Sequence, residues 1–522
     1  MLITFLPMNR KIEVDYGANL MQVARENNID LGGTCAGNKT CGKCKALITK
    51  GNHKVFSKEE IRFLTEEETK AGIRLTCCFT VTQDTTVILS GRQPDRVQVT
   101  SKPYQKSTVA AYGVAFDIGT TTVEAELWDL DNKFMLGRQS APNPQRLYGA
   151  DVISRITYAN TSLDNQNRLT ELIRKCCNQL IDMLAEQAEI ENDHIKSVVI
   201  AANTTMSHLF LGKSLESLAK VPFQGISYAG EEKIASDISI HIYPEGTVYV
   251  MPGIGGHVGS DTLGCILAKD LAHARGPKLM MDIGTNGEIV LAKNGELIAC
   301  STAAGPAFEG SSLYQGMRAE YGAIAKVDII DDKIIVDVIG DEKDGMKPVP
   351  IGICGSGVIE AISELYKSGQ MDSTGRLLGK AGDDNFVLLY LGKTKQDQVI
   401  LTQKDIREIQ LAKGAIYAGM QILLREENMK PAELDTLYMA GTFGNYINMK
   451  KGIHIGLLPA MELDKIEYIG NGALTGAAKI LLGEVSKEEA ERISKNTRHL
   501  ELALREDFQE EFLKAISFPE KE

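Results

Sequence analysis

The sequence predicts an α/β protein in two unequal parts: a small α+β module at the N-terminus, then a larger, internally duplicated α/β region with two lobes. Three observations carry that expectation. The 522 residues fit roughly three domains of about 150 residues each. Five of the ten cysteines fall within the first 78 residues, among short alternating strands. One strand–turn–strand pattern occurs twice, with Asp117 and Asp282 at equivalent places 165 residues apart. The expected boundaries are 1–92 for the first module, 93–109 for a linker and 110–522 for the duplicated region. Lobe I should cover 110–275 together with the C-terminal helices, and lobe II 276–480.

Composition excludes several classes. Apolar and charged contents of 43% and 24% are ordinary globular values, against disorder or fibrous repeats. A net charge of −12 argues against a nucleic-acid surface, which needs clustered positive charge. No apolar run approaches the roughly 20 residues that cross a bilayer, and the start MLITFLPMNRKIEVDY lacks a signal-type core. The expectation is a cytoplasmic chain with neither nucleic-acid nor membrane partners.

In the first module, ITFLP and KIEVDY read as a hairpin. ANLMQVAREN places Leu20, Val23 and Ala24 on one helix face. A glycine-rich loop then carries Cys35, Cys41 and Cys44, a strand follows over Lys45–Ile48, and Cys77 and Cys78 come later in IRLTCC. A [2Fe-2S] cluster needs four thiolates, and a loop can supply three if glycines such as Gly32, Gly33, Gly37 and Gly42 let it wrap the metal. Structural zinc is the alternative, but it normally shows two tight C-x2-C knuckles, and one is present. Cys176, Cys177, Cys265, Cys300 and Cys354 are scattered and read as small buried hydrophobes. Residues 1–92 hold 13 Lys+Arg against 10 Asp+Glu, a net of +3, so the remainder carries −15. The electron partner of such a module is its own chain or a surface of different charge.

Residues 93–109 mix polar residues and prolines as an extended linker would. Beyond it, AFDIGTTTVEAELWD and MMDIGTNGEIVLAKNGE each read as strand, tight turn and strand. The turn chemistry suits a nucleoside triphosphate with a divalent ion. Glycine admits backbone amides to phosphate oxygens, threonine hydroxyls donate, and the aspartates hold Mg²⁺ through water or orient an attacking water. Asp117 with Gly119, Thr120, Thr121 and Thr122 should cradle one side of the triphosphate, and Asp282 with Gly284, Thr285, Asn286 and Gly287 the other. Asp261 reads either as a helix N-cap or as a group reaching the metal, with Glu288 and Glu309 as further candidates. His208 and His257 read as local hydrogen-bonding residues, and Trp128 as core.

The N-terminal pattern resembles the adrenodoxin-like ferredoxins, whose loop spacing is also five; the resemblance implies a β-grasp domain and makes Cys77 the fourth ligand. The repeated turns resemble the two phosphate motifs of the acetate and sugar kinase, chaperone ATPase and actin superfamily. GSDTLGCILAKDL and GNGALTGAAKILLG then match its connecting helices, and LYMAGTFGNYI its adenosine motif, with Gly441 and Gly444 admitting the adenosine. The segments NPQRLYGADVISRI, AANTTMSHLFLG, ACSTAAGPAFEGSSL and DIREIQLAKGAI resemble one narrower family, the ATP-dependent reductive activators of corrinoid proteins. That resemblance implies an ATP-hydrolysing iron-sulfur enzyme that reduces an inactive Co(II) corrinoid protein to Co(I). Its cofactors would be a [2Fe-2S] cluster and ATP with Mg²⁺. Its partners would be the corrinoid protein of a methyltransferase system, an upstream low-potential electron donor, and a second copy of the chain through the ATPase domain. Some relatives insert a small domain where this chain has only the linker. Two other readings stand beside it: an ATP-driven electron donor to another acceptor, and a redox-gated chaperone-like ATPase. The first would place spaced cysteines inside the ATPase, and the second a client-binding module after it.

Overall fold

The N-terminal module builds a mixed sheet around a short helix. The computed structural model describes residues 1–6, 10–27, 29, 31, 37, 39, 42, 44–50, 56–88, 111–310, 312–331, 333–340, 348–379, 385–392, 394, 397–441 and 447–520. Its first elements are β1 (Leu2–Leu6), β2 (Arg10–Glu13), α1 (Leu20–Glu26), β3 (Lys45–Lys50), β4 (Ile73–Leu75) and β5 (Thr85–Ile88). The sheet order is β2-β1-β5-β3-β4, with β1 antiparallel to β2 and parallel to β5. Alternation turns Ile3 and Phe5 inward, where they meet Leu20, Val23 and Ala24 of α1. Asn19 caps α1 by accepting from the Gln22 amide. The expected linker over 93–109 lies outside the described residues.

Lobe I comprises β6 (Tyr112–Ile118), β7 (Thr122–Asp129), β8 (Phe134–Pro142), α2 (Val152–Ala159), α3 (Leu163–Ala188), β9 (Ile195–Ala202), α4 (Thr204–Leu211), β10 (Glu231–Ile234), β11 (Thr247–Val250) and α5 (Ser260–Ala268). Its sheet runs β8-β7-β6-β9-β11-β10. Lobe II contains β12 (Lys278–Ile283), β13 (Gly287–Lys293), β14 (Glu296–Thr302), α6 (Gly355–Lys367), α7 (Gln403–Glu426), β15 (Thr436–Ala440) and β16 (Ile466–Gly470). After these come α8 (Gly472–Leu481), α9 (Lys487–Asn496), β17 (Arg498–His499) and α10 (Glu506–Ile516), and the lobe II sheet runs β16-β15-β12-β13-β14-β17.

The duplication is therefore topological. In each lobe an antiparallel three-strand meander is extended by two parallel strands: β8-β7-β6 then β9 and β11, and β14-β13-β12 then β15 and β16. The inner parallel strands are all but buried, as in the β9 run Val198–Ala202 and the β15 run Leu437–Ala440, whereas β16 at the outer side of lobe II is only partly covered.

The lobes meet at α5 and α8. A Cβ on Gly264 would lie 2.7 Å from the Ala473 carbonyl, and one on Gly476 2.2 Å from that of Gly264, so this crossing tolerates no side chain at either position. The C-terminal segment divides between the lobes. The helix α9 lies on lobe I, where Lys487 pairs with Glu232 and Glu491 accepts from the Gly230 amide. By contrast β17 pairs with β14, and α10 packs on α7 in lobe II, where buried Lys413 donates to the carbonyls of Ala515 and Ser517 at 2.7 and 2.6 Å. No described helix is long and apolar enough to cross a membrane.

Candidate functional site

Two sites emerge, one in each part of the chain. In the N-terminal module Cys44 and Cys77 are buried with their sulfurs 3.3 Å apart, and Cys78 is half-buried with its sulfur 3.8 Å from that of Cys77. The strand β3 starts directly after Cys44, and the Thr76 amide donates to the Cys44 carbonyl at 2.9 Å, which fixes the two segments together. The hydrogen bond with Cys44, then desolvation, pushes the Cys77 thiol far above its ordinary range. Two thiols packed this way cannot both ionise unless a cation lies between them, so the pair fits a shared iron. Cys35 and Cys41 lie outside the described residues.

A second contact network supports this pair, and nothing local in the sequence announced it. Glu60 and Arg74 form a buried bidentate ion pair at 2.7 and 2.8 Å, and Glu60 also accepts from the amides of Ser57 and Leu75. The guanidinium lies over Phe56 and Phe79, 4.6 and 5.0 Å from the ring centroids. Arg74 thus anchors the strand that leads into Cys77.

In the duplicated region, the two expected turns face each other across the cleft. Gly119 is required by close approach, since a Cβ there would meet the Thr122 carbonyl at 2.7 Å. The turn's carbonyls are held from behind. Asn143 donates to Gly119 O at 2.8 Å and its amide donates to Thr121 O, while Arg155 donates to Thr120 O. Asn203 donates to the Thr120 hydroxyl at 3.0 Å, leaving that hydroxyl's own proton free to be donated. Arg155 is fully buried, and its other acceptors, Gly149 O, Gln145 Oε1 and Met206 Sδ, are all neutral. Burial lowers its pKa to about 9. The segments 143–156 and 201–212 therefore serve to brace the first turn.

The second turn is built alike. The Gly284 amide donates to Asn286 O at 2.9 Å, and Thr302 donates to Gly287 O at 3.1 Å. Gly441, at φ +83°, sits against the Asp282 carboxylate, where a Cβ would lie 2.3 Å from Oδ1. Its observed contact is thus with the catalytic candidate; Gly444 lies outside the described residues.

Four carboxyls crowd the floor of the cleft. Desolvation first, then neighbouring carboxylates, raises Asp282 to about 7, and desolvation raises Asp261 to about 6. Asp117 and Glu288 are pushed well above their usual range for the same reason. Asp117 accepts from Asn471 at 2.8 Å and Glu288 from Ser301 at 3.0 Å. Among the described residues none of these four forms an ion pair with lysine or arginine. The helix α5 is capped by Gly259, so Asp261 is free of the N-cap role and accepts from the Thr262 amide instead. Such a group of uncompensated carboxyls fits a Mg²⁺·phosphate complex. No three described His, Cys, Asp or Glu side chains converge on one point, so the metal would be held mainly through water and phosphate oxygens. His208 bonds Thr204 O and the Ile226 amide, His257 packs on Phe223, and Trp128 is half-buried beside the inter-lobe core.

A ferredoxin-type module with a buried cysteine pair, joined to a two-lobed nucleotide cleft, defines an ATP-dependent iron-sulfur protein. The chain belongs to the RACo family: the model of the RACo middle region matches residues 112–274, that of the C-terminal ASKHA domain of RACo matches 276–522, and that of the 2Fe-2S iron-sulfur cluster binding domain matches 3–82. The corrinoid activation enzyme RamQ of Eubacterium limosum is 37% identical over 436 residues, 80% of this chain and 72% of its own length. The Co(II) methylated amine-specific corrinoid protein reductase of Methanosarcina barkeri is 27% identical over 439 residues, 78% of this chain and 77% of its own. A solved reductive activator for corrinoid, iron-sulfur protein superposes with a TM-score of 0.69 at 28% identity, covering 99% of this chain and 98% of that one. A [2Fe-2S] cluster and ATP with Mg²⁺ are accordingly the cofactors, and the fold is a ferredoxin domain followed by an actin-like ATPase.

Proposed function

We propose that this chain uses ATP to drive one-electron reduction of a Co(II) corrinoid protein to Co(I), returning a methyltransferase system to activity. The observation that carries the reading is the presence, in one chain, of a buried, paired set of thiols and of two Asp-Ile-Gly-Thr turns facing each other across a cleft. Cys35, Cys41, Cys44 and Cys77 would hold the [2Fe-2S] cluster, which supplies a one-electron carrier. Asp117, Gly119, Thr120, Thr121 and Thr122 from lobe I, and Asp282, Gly284, Thr285, Asn286 and Gly287 from lobe II, would bind the triphosphate and its Mg²⁺. Gly441 keeps the end of β15 against Asp282, and with Gly444 it would admit the adenosine.

Reducing Co(II) is uphill for an ordinary cluster of this type. ATP supplies the difference only if the open and closed states of the two lobes bind the corrinoid protein differently. Lobes hinged at a bare glycine crossing are suited to two such states. The partners of this reading are the corrinoid protein, an upstream low-potential donor and a second copy through the ATPase domain, the last checked by light scattering. The test of function mixes cluster-loaded protein, a reductant and Co(II) corrinoid protein, with and without ATP. Co(I) absorbance that appears only with ATP supports the proposal, and no ATP-dependent Co(I) with any corrinoid methyltransferase system contradicts it.

A further inference from the structure

Between the two turns stands a side chain that belongs to neither. Glu309 follows β14 in the segment 299–313, and its two carboxylate oxygens take hydroxyls from opposite lobes. Oε1 accepts from Thr285 at 2.5 Å, and Oε2 accepts from Thr121 at 3.3 Å. Glu309 is only partly buried, and no lysine or arginine among the described residues pairs with it. A hydroxyl has one proton, so a threonine that donates to Glu309 cannot donate to a phosphate oxygen at the same time. The carboxylate thus occupies, in this structure, the donors that the terminal phosphate of ATP would claim.

We propose that Glu309 positions the hydrolytic water of the ATPase. The inference rests on reading the two turns as the phosphate site. When ATP takes the two hydroxyls, a carboxylate and a phosphate cannot stay in direct contact, and Glu309 draws back by the width of one water. That water satisfies both neighbours, with an O–H toward the carboxylate and a lone pair toward the terminal phosphorus. The water oxygen then bonds to the phosphorus as the bond to the β,γ-bridging oxygen breaks. The water proton passes to a Glu309 oxygen, and the bridging oxygen leaves with ADP, its charge balanced by Mg²⁺. None of the other four carboxyls of the cleft takes a hydroxyl from both turns: Asp117 accepts from Asn471, Glu288 from Ser301, Asp261 from Thr262, and Asp282 from the Cys265 thiol at 3.7 Å.

The test compares ATP turnover and ATP affinity in the full-length protein and its Glu309→Gln variant. The amide carries no charge to repel phosphate and can accept from the hydroxyls with only one oxygen. Affinity should therefore be equal or tighter, while kcat falls by about 10²-fold or more. Turnover within about threefold of the unsubstituted protein, or a loss of affinity that matches the loss of turnover, overturns the proposal. Glu309→Asp serves if the Gln variant folds poorly. Its shorter reach should cut turnover by at least about tenfold at unchanged affinity, and full turnover contradicts the assignment. Absence of ATP binding by the unsubstituted protein would instead refute the reading of the cleft.

Discussion

Arg155 is a charge that the fold hides completely and surrounds with neutral acceptors. A buried guanidinium with no carboxylate among its hydrogen-bond acceptors is costly, and here it holds the first Asp-Ile-Gly-Thr turn through Thr120 O. Arg155→Met should lower stability by about 3 kcal/mol or more, since several charge-assisted hydrogen bonds vanish and their acceptors stay buried. It should also weaken ATP binding, with the cluster spectrum unchanged; calorimetry and visible absorbance read the two effects. The carboxyl floor gives the protein a pH dependence of its own. Asp261 and Asp282, with pKa raised to about 6 and about 7, hold protons more firmly folded than unfolded. The nucleotide-free protein should therefore lose stability as pH rises from about 4 to about 7. Mg²⁺·ATP affinity should move the other way and fall as pH drops from about 7.5 to about 6, because the carboxyls must lose their protons to face the metal. Melting curves and ATP titrations across that range check both signs. Of this site, the Asp-Ile-Gly-Thr turns were legible in the sequence because their chemistry is local. Asn143, Arg155, Asn203, Asn471 and Glu309 were not assigned these contacts, because each reaches its partner from 24 to 354 residues away.

Among the elements, α5 and α8 pack against each other between the two lobes. Their crossing is set by Gly264, Ala473 and Gly476, so Gly476→Val should cost about 1–3 kcal/mol by overpacking and reduce ATP-dependent activity, with cluster content unaffected. Urea unfolding and an ATPase assay measure both. The resemblance to the superfamily's connecting helices, with an apolar run in the first segment and small residues in the second, made this helix pair readable in the sequence. The first two strands of each meander were equally readable, since apolar runs flank a tight turn there, whereas the third strand of each was not read from the sequence. The division of the C-terminal segment was not: amphipathic helices carry no mark of which lobe they cover, and α10 is drawn to lobe II by Lys413 and Phe518. The anchor of the Cys77 strand was hidden for the same reason, since Glu60 and Arg74 look like ordinary surface charges until the fold buries them together.

The whole molecule is a redox module with a net charge of +3 attached to an ATPase carrying −15. Opposite signs favour approach of the module to its own ATPase at low salt. In the two lobes one strand order is repeated, and their turns meet on a single carboxylate, Glu309, so a ligand that takes its hydroxyls must act on both lobes at once. A single-turnover experiment separates ATP-coupled electron delivery from uncoupled delivery. The cluster is reduced beforehand, excess reductant is removed, and Co(II) corrinoid protein is added with or without Mg²⁺·ATP. Co(I) should form in an amount set by the reduced cluster, only with ATP, and not at all in Cys44→Ser, in which ATP binding should persist. Equal Co(I) without ATP, or ATP-dependent Co(I) in Cys44→Ser, would contradict ATP-coupled delivery from the cluster.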